Sequence, residues 1–230
     1  MNIKKLTLYH FPATRSVRAR WALLETVGEA FDVKHVALYK GAQYAPEFLQ
    51  KNPNHNVPLL EITFADGKVH AMLESAAMVQ WLADAFPEKE LAPRPDMSAD
   101  RADYLQMIHF GAGWMDMMLW QIRIHEHLLP TADVNLRTIE RYRQKCQQEV
   151  EPQLIQRLQA LPFICGETFT AADIVIAYNV GWARRYGLCQ DPIFKDYLTR
   201  VSRRPAFVEA YSDAGDFELE IPDRDRTRNF

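Results

Sequence analysis

Cysteine is scarce in this chain: Cys146, Cys165 and Cys189 are the only three among 230 residues, and their spacing forms neither a CxxC pair nor a metal-ligand set. None precedes Cys146, so the N-terminal half offers no protein thiol for disulfide exchange. The three read as reduced side chains that pack as small hydrophobes. Long apolar runs are missing too. None nears the ~18 residues expected of a membrane span, and no charged-then-apolar leader precedes Leu6. Nor is there a basic run. With 27 Lys and Arg against 30 Asp and Glu, the net charge of −3 leaves no positive stripe for nucleic acid to read. The expectation is a soluble, intracellular protein with neither nucleic acid nor membrane as partner. His125-Glu126-His127 is the one close histidine pair, and at i, i+2 on a helix the two rings point to different faces, which argues against a metal.

Apolar residues make up 48% of the chain, enough to build one or two compact domains. The two halves differ in pattern. In the first, Leu6 to Tyr9 reads as a strand and Ser16 to Val27 as a helix, with Gly28 suited to a left-handed C′ position. Phe31 to Val36 reads as a second strand, parallel to the first after a helical crossover. Pro58 to Ile62 and Val69 to Met72 flank an Asp66-Gly67 hairpin turn, and Ser75 to Phe86 repeats apolar residues at helical spacing. The order is βαβ, then ββα.

Pro87 to Pro95 holds three prolines and no periodicity, the signature of a linker. Beyond it every long segment has helical period: 98–127, 133–160, 170–186, 191–201 and 205–211, with Pro152 expected to bend or restart the second helix. The expected domains are thus 1–86, a linker 87–96, an all-helical 97–212 and a charged tail 213–230 lying on the surface or fraying. Thr170 with Asp173 forms a capping-box variant ahead of Ile174, a feature of folding rather than chemistry. Gly111 and Gly113 would permit close helix approach.

Val57-Pro58 stands out in the first half. A proline entering a short strand cannot donate to a ladder, so it is a candidate cis proline that turns the preceding main chain outward toward an extended peptide. Together Val57-Pro58, Glu74-Ser75, the linker and the Thr170 box resemble the cytosolic glutathione transferase superfamily. The stretches Leu6 to Arg18, Pro46 to Leu49, Asn56 to Leu60 and Arg204-Pro205-Ala206-Phe207 carry that resemblance. It implies an α+β fold: a thioredoxin-like domain that binds glutathione, followed by an all-helical domain. It also implies a cytoplasmic homodimer working in detoxification, with glutathione as co-substrate, no metal, and a small apolar electrophile as second partner.

By the same resemblance, the Val57 main chain beside Pro58 pairs with the cysteinyl unit of glutathione, while Glu74 and Ser75 hold its γ-glutamyl end. Gln43 and Asn56 are further polar contacts, and Arg15 raises the local positive potential. Ser75, opening a helix, offers unpaired N–H groups to a carboxylate. A thiol titrating near about 8.5 must be favoured as thiolate, and a hydroxyl donor at a helix start is the simplest device. Three hydroxyls compete for this role: Thr14, then Tyr9, then Ser16. Thr14-Arg15-Ser16-Val17-Arg18 looks like the Ser-Arg-x-x-Arg segment of a bacterial and fungal subgroup, with Thr14 at the active-site serine. A different register puts Tyr9 at the tyrosine of the tyrosine-type classes. Phe11, Met107, Phe110, Gly111, Trp114 and Met115 are the expected electrophile site. Conjugation leads, with glutathione-dependent disulfide or peroxide reduction and a non-catalytic binding role as alternatives.

Overall fold

The computed structural model describes residues 3 to 215. Four strands form one sheet in the order β2-β1-β3-β4, where β1 is Ile3–His10, β2 Asp32–His35, β3 Leu59–Phe64 and β4 Val69–Met72. β2 runs parallel to β1 because helix α1, Ser16–Val27, carries the chain back across the sheet. β3 and β4 are antiparallel and close on the expected turn, where Gly67 at φ +85° donates to the Phe64 carbonyl and Asp66 accepts from Lys68 N–H.

Alternation along the strands gives the sheet two apolar faces. Leu6 and Leu8 stand opposite Ile62 and Leu60 on one face. The side chains of α1 and of α3, Ser75–Ala85, are buried with them, Trp21, Leu23, Met78 and Leu82 among the largest. The other face gathers Tyr9, Phe11, Val36, Phe48, Val57 and Leu59 beneath the short helix α2, Pro46–Leu49. Each such side chain contributes on the order of 1.5–3 kcal/mol by leaving water, so register is strongly specified on both faces.

Gly28 departs from expectation. Its φ is +62° but its ψ is −130°, so α1 ends in a turn closed by Ala30 N–H on the Val27 carbonyl rather than in a left-handed cap. That backbone region is open almost solely to glycine.

The chain divides into two compact units. The first runs to Arg101 and takes back the described segment 202–215. In that segment α10, Pro205–Ala210, lies on α1: Phe207 meets the Trp21 ring edge-on at 5.0 Å, and Arg204 holds Glu25 through two bonds of 2.6 and 2.8 Å. The proline-rich 87–95 stretch is pinned within this unit by Arg101, which donates to the Pro93 carbonyl and grips Asp84 at 2.7 and 2.8 Å.

The second unit runs from Ala102 to Val201 and every long element in it is helical. Helices α4 (Ala99–His109) and α5 (Asp116–Arg123) are joined by a π-helical stretch, Phe110–Met115, that keeps helical dihedrals at both ends. A second widened stretch, Cys146–Val150, joins α6 (Leu136–Lys145) to α7 (Glu151–Ala160) just ahead of Pro152. α7 starts anew at Glu151 with Pro152 in its first turn, where a proline is tolerated, and the residues just ahead keep helical dihedrals.

Helix α8, Ala171–Arg185, crosses the π stretch at Gly111, where an added Cβ would lie 2.8 Å from both Val175 Cγ1 and Ile176 Cδ1. Gly113 has nothing within 4 Å, so only the first of the two glycines serves close approach. Asn179 seals the crossing by donating to the Gly111 carbonyl at 2.7 Å. The Thr170 capping box is present, and its Asp173 does more than cap. Its buried carboxylate also accepts from Ile164 N–H and from the Tyr197 hydroxyl of α9, Pro192–Val201, both at 2.9 Å. No helix among the described residues is long and apolar enough to cross a membrane. The expected surface tail begins inside them: Asp213 is held by Arg20, while the remainder from 216 lies outside the described residues.

Candidate functional site

The loop from β1 into α1 folds its two hydroxyls onto one another. Ala13 takes a positive φ of 55°, and the half-buried Thr14 hydroxyl donates to the Phe11 carbonyl at 2.7 Å. Thr14 Oγ1 also lies 2.8 Å from Ser16 Oγ. Ser16 is fully buried; its Oγ accepts from Phe11 N–H at 3.2 Å and stands 2.7 Å from His10 Nδ1. Of the pair, Thr14 is the member with solvent access. Ser16 opens α1 and Thr14 stands just ahead of the N-cap Arg15, beside a helix start where amides lack helical partners and the dipole favours negative charge.

Tyr9 points elsewhere. Neighbouring residues of a strand face opposite sides of the sheet, so Tyr9 lies across β1 from His10 and Ser16. Its ring packs edge-on against Phe48 at 5.9 Å, and its hydroxyl accepts from Lys51 at 2.8 Å and from Lys34 at 3.4 Å. Lys51 is also paired with Glu61, and that contact, followed by Tyr9, holds the ammonium pKa above its usual value.

The Val57–Pro58 peptide is cis, as the sequence leads one to expect. Val57 packs with Phe11, Tyr9 and Phe48 in the small core under α2. The exposed loop before it is organised by Asn52, a buried residue that sequence reasoning passed over. Asn52 donates to the Asn56 carbonyl at 2.8 Å and to its side-chain oxygen at 3.0 Å, and accepts from Asn54 N–H. The signal was available, since Asn52-Pro53-Asn54 is turn-forming composition. Gln43 is buried, and its Oε1 has no hydrogen-bond partner among the described residues.

Glu74 is exposed and has φ +69° and ψ +107°, a conformation costing a residue with a Cβ about 1–3 kcal/mol. It presents the start of α3, where Ser75 is buried and accepts from Arg18 at 3.3 Å. Arg18 therefore ties the first turns of α1 and α3 together. Arg15, half-buried, precedes α1 with helical dihedrals.

His10 was not among the expected site residues, although it shares the knot. Its ring is buried, and burial, aided by Arg20 and His35, drops its pKa to about 4 despite the carboxylate of Asp213. In the second unit Met107 and Met115 are buried in the helical core and Gly111 is used by the α8 crossing, whereas Phe110 is half-buried and Trp114 exposed with Lys145 5.0 Å from its ring. The cysteines are free. Cys146 and Cys189 are buried, and burial pushes the Cys165 thiol up to about 12, so no thiolate forms there near neutrality. Among the described residues no group of His, Cys, Asp and Glu is arranged to hold a metal ion.

Comparison with known proteins accounts for this combination. Residues 4–84 match the family described as glutathione S-transferase, N-terminal domain, and residues 138–209 match glutathione S-transferase, C-terminal domain. A relative from Escherichia coli K12, the disulfide-bond oxidoreductase YfcG, is 32% identical over 179 residues, spanning 76% of this chain and 80% of that protein. The chain belongs to the glutathione S-transferase family. GstA, a glutathione S-transferase of Escherichia coli O157:H7, is 25% identical over 91% of this chain and 99% of its own length. Among solved structures, a Burkholderia graminis glutathione transferase with two glutathione molecules bound per subunit superposes with a TM-score of 0.78 at 25% identity, covering 94% of this chain and 90% of that one. The sheet of four strands followed by helices is thus the glutathione transferase fold, as the resemblance implied.

Proposed function

We propose that this protein binds glutathione and favours its thiolate for attack on an apolar electrophile, with the Thr14 hydroxyl facing the sulfur. The observation that carries the reading is Thr14, half-buried just ahead of α1, with its hydroxyl on the carbonyl of Phe11, which packs with Val57. A thiol of pKa about 8.5 needs about 1.4 kcal/mol for each unit of lowering, and one hydrogen bond with a helix dipole supplies a unit or two. Tyr9 ranks below Thr14 because its hydroxyl already accepts from Lys51 and Lys34 on the opposite side of the sheet. Ser16 ranks below because it is buried.

The rest of the tripeptide is assigned to the Val57 main chain beside Pro58, to Gln43 and Asn56, and to Glu74 and Ser75, with Arg15 adding positive potential. Three findings support those assignments. The Gln43 oxygen is buried without a partner, Glu74 holds a costly backbone conformation, and Ser75 opens α3. Phe110 and Trp114 are the aromatic side chains of the expected electrophile set left to solvent in the second unit. The reading extends to a cytoplasmic homodimer, which sedimentation checks.

One observation favours a second reading. The 32% identical relative is a disulfide-bond oxidoreductase, and the same thiolate would attack a mixed disulfide or a peroxide. Calorimetric titration of glutathione and glutathione disulfide, with assays of chloronitrobenzene conjugation and mixed-disulfide reduction side by side, separates the readings. Conjugation in the wild type that drops about 10²-fold in Thr14→Val but persists in Tyr9→Phe is the expected result. Reduction alone would assign the second reading, and binding without either turnover would leave a non-catalytic module.

A further inference from the structure

His10 and Asp213 extend the Thr14–Ser16 pair into one chain of hydrogen bonds that ends in an ion pair with Arg20. Its links are Thr14 Oγ1 to Ser16 Oγ at 2.8 Å, Ser16 Oγ to His10 Nδ1 at 2.7 Å, His10 Nε2 to Asp213 Oδ2 at 3.1 Å, and Asp213 to Arg20 at 2.6 Å. The charged and titratable groups facing the imidazole are Asp213, Arg20 and His35, the last edge-on at 5.9 Å with its Nε2 4.0 Å from the same carboxylate.

A carboxylate only accepts, so the ring nitrogen facing Asp213 carries a proton and, in a neutral imidazole, the other nitrogen is bare. Nδ1 is then an acceptor, and the hydroxyl against it is that of Ser16. Two hydroxyl protons now serve the knot: Ser16 donates to Nδ1, and Thr14 shares its proton between the Phe11 carbonyl and Ser16 Oγ. Neither points outward. A thiolate beside Thr14 would have to draw the Thr14 proton off that carbonyl. Ser16 Oγ lies 2.9 Å from the same carbonyl and can donate to it in place of Thr14 only by abandoning Nδ1.

We propose that His10, oriented by Asp213, is a positioning residue whose bare Nδ1 withholds the Thr14 hydroxyl proton from the glutathione sulfur, so that the pair restrains thiol ionisation. The inference rests on the proposed glutathione chemistry. A general-base role for His10 is the competing account, and magnitudes decide against it. A ring of pKa about 4 taking a proton from a thiol of pKa about 8.5 works uphill by more than about 10⁴-fold.

Two variants and two readouts test the assignment. His10→Phe removes the acceptor without changing charge, so Ser16 turns to the Phe11 carbonyl and the Thr14 proton is released. Asp213→Asn offers an amide N–H to Nε2 and permits the Nδ1–H tautomer, with the same consequence. Imidazole nitrogen shifts of the ligand-free protein report the tautomer, and thiolate absorbance against pH reports the ionisation of bound glutathione. The expected result is an Nε2–H ring in the wild type, an Nδ1–H ring in Asp213→Asn, and a bound-thiol pKa lower by about one unit, a tenfold gain in thiolate, in both variants.

A rise in His10→Phe would establish the general base and overturn the proposal. So would a fall in Asp213→Asn with the ring still Nε2–H, which would be a charge effect alone, or an Nδ1–H ring in the wild type. If His10→Phe does not fold, the paired readouts of Asp213→Asn decide. Wild-type protein that binds no glutathione would overturn the proposed function and this inference with it. The wrong tautomer in protein that does bind would overturn this inference alone.

Discussion

Acid should destabilise this protein through His10 in a pH window that the structure specifies. The ring is fully buried in β1 under α1, and its pKa falls to about 4, chiefly through loss of water and further through Arg20 and His35, with Asp213 acting in the opposite sense. In the unfolded chain the same group titrates near 6.5. A histidine whose folded pKa is depressed binds its proton more readily when unfolded. Its contribution to stability is therefore complete above pH 6.5, declines as pH falls toward about 4, and is gone below that. Taking the difference between those two values at about 1.4 kcal/mol per unit, the loss across the window is about 3 kcal/mol. Urea unfolding of wild type and His10→Phe at pH 7.5 and at pH 4 measures it, the variant supplying the slope due to every other group. The expected result is a wild-type slope steeper than the variant's by about 3 kcal/mol over that interval. Parallel slopes would refute the reasoning, because they would mean that the ring binds its proton equally in both states.

Further outcomes follow from the packing. Gly111→Ala places a methyl 2.8 Å from the stiff, branched Val175 and from Ile176, and should cost about 1–3 kcal/mol. Gly113→Ala meets nothing and should stabilise by up to about 1 kcal/mol through helix propensity. Urea midpoints that move the same way in both variants would contradict the close approach. Asp173→Ala strands the Ile164 and Thr170 amides and the Tyr197 hydroxyl, so its cost should reach about 3 kcal/mol or more, beyond that of a simple cap. Adding Tyr197→Phe should return part of that loss, read as a coupling energy in a double-mutant cycle.

Much of the fold was legible because its causes are local. Alternation in Leu6 to Tyr9, the 3.6 period of Ser16 to Val27 and of Ser75 to Ala85, and the Asp66-Gly67 turn each place an element by the residues within it. The same holds for Thr170 with Asp173, whose partners on the cap are three residues apart. Where a segment had to answer to a distant one, reading stopped short. Nothing near Gly111 and Gly113 tells them apart, since the side chains that make one indispensable come from α8. Pro152 signalled a bend or a restart, but not the π-helical stretch, Cys146–Val150, that leads into α7.

The candidate site divides along the same line. The order of residues by itself determined the strand-and-helix frame, the cis Val57–Pro58 bond and the presence of three hydroxyls near the start of α1. Tertiary structure alone gave those hydroxyls different surroundings, sending Tyr9 to Lys51 across the sheet, burying Ser16, and leaving Thr14 half-buried. It alone joined His10 to Asp213 across 203 positions. The physical reason is that dihedral preference and apolar period act over a few residues, whereas a hydrogen bond forms between whatever groups the packed chain brings to within about 3 Å.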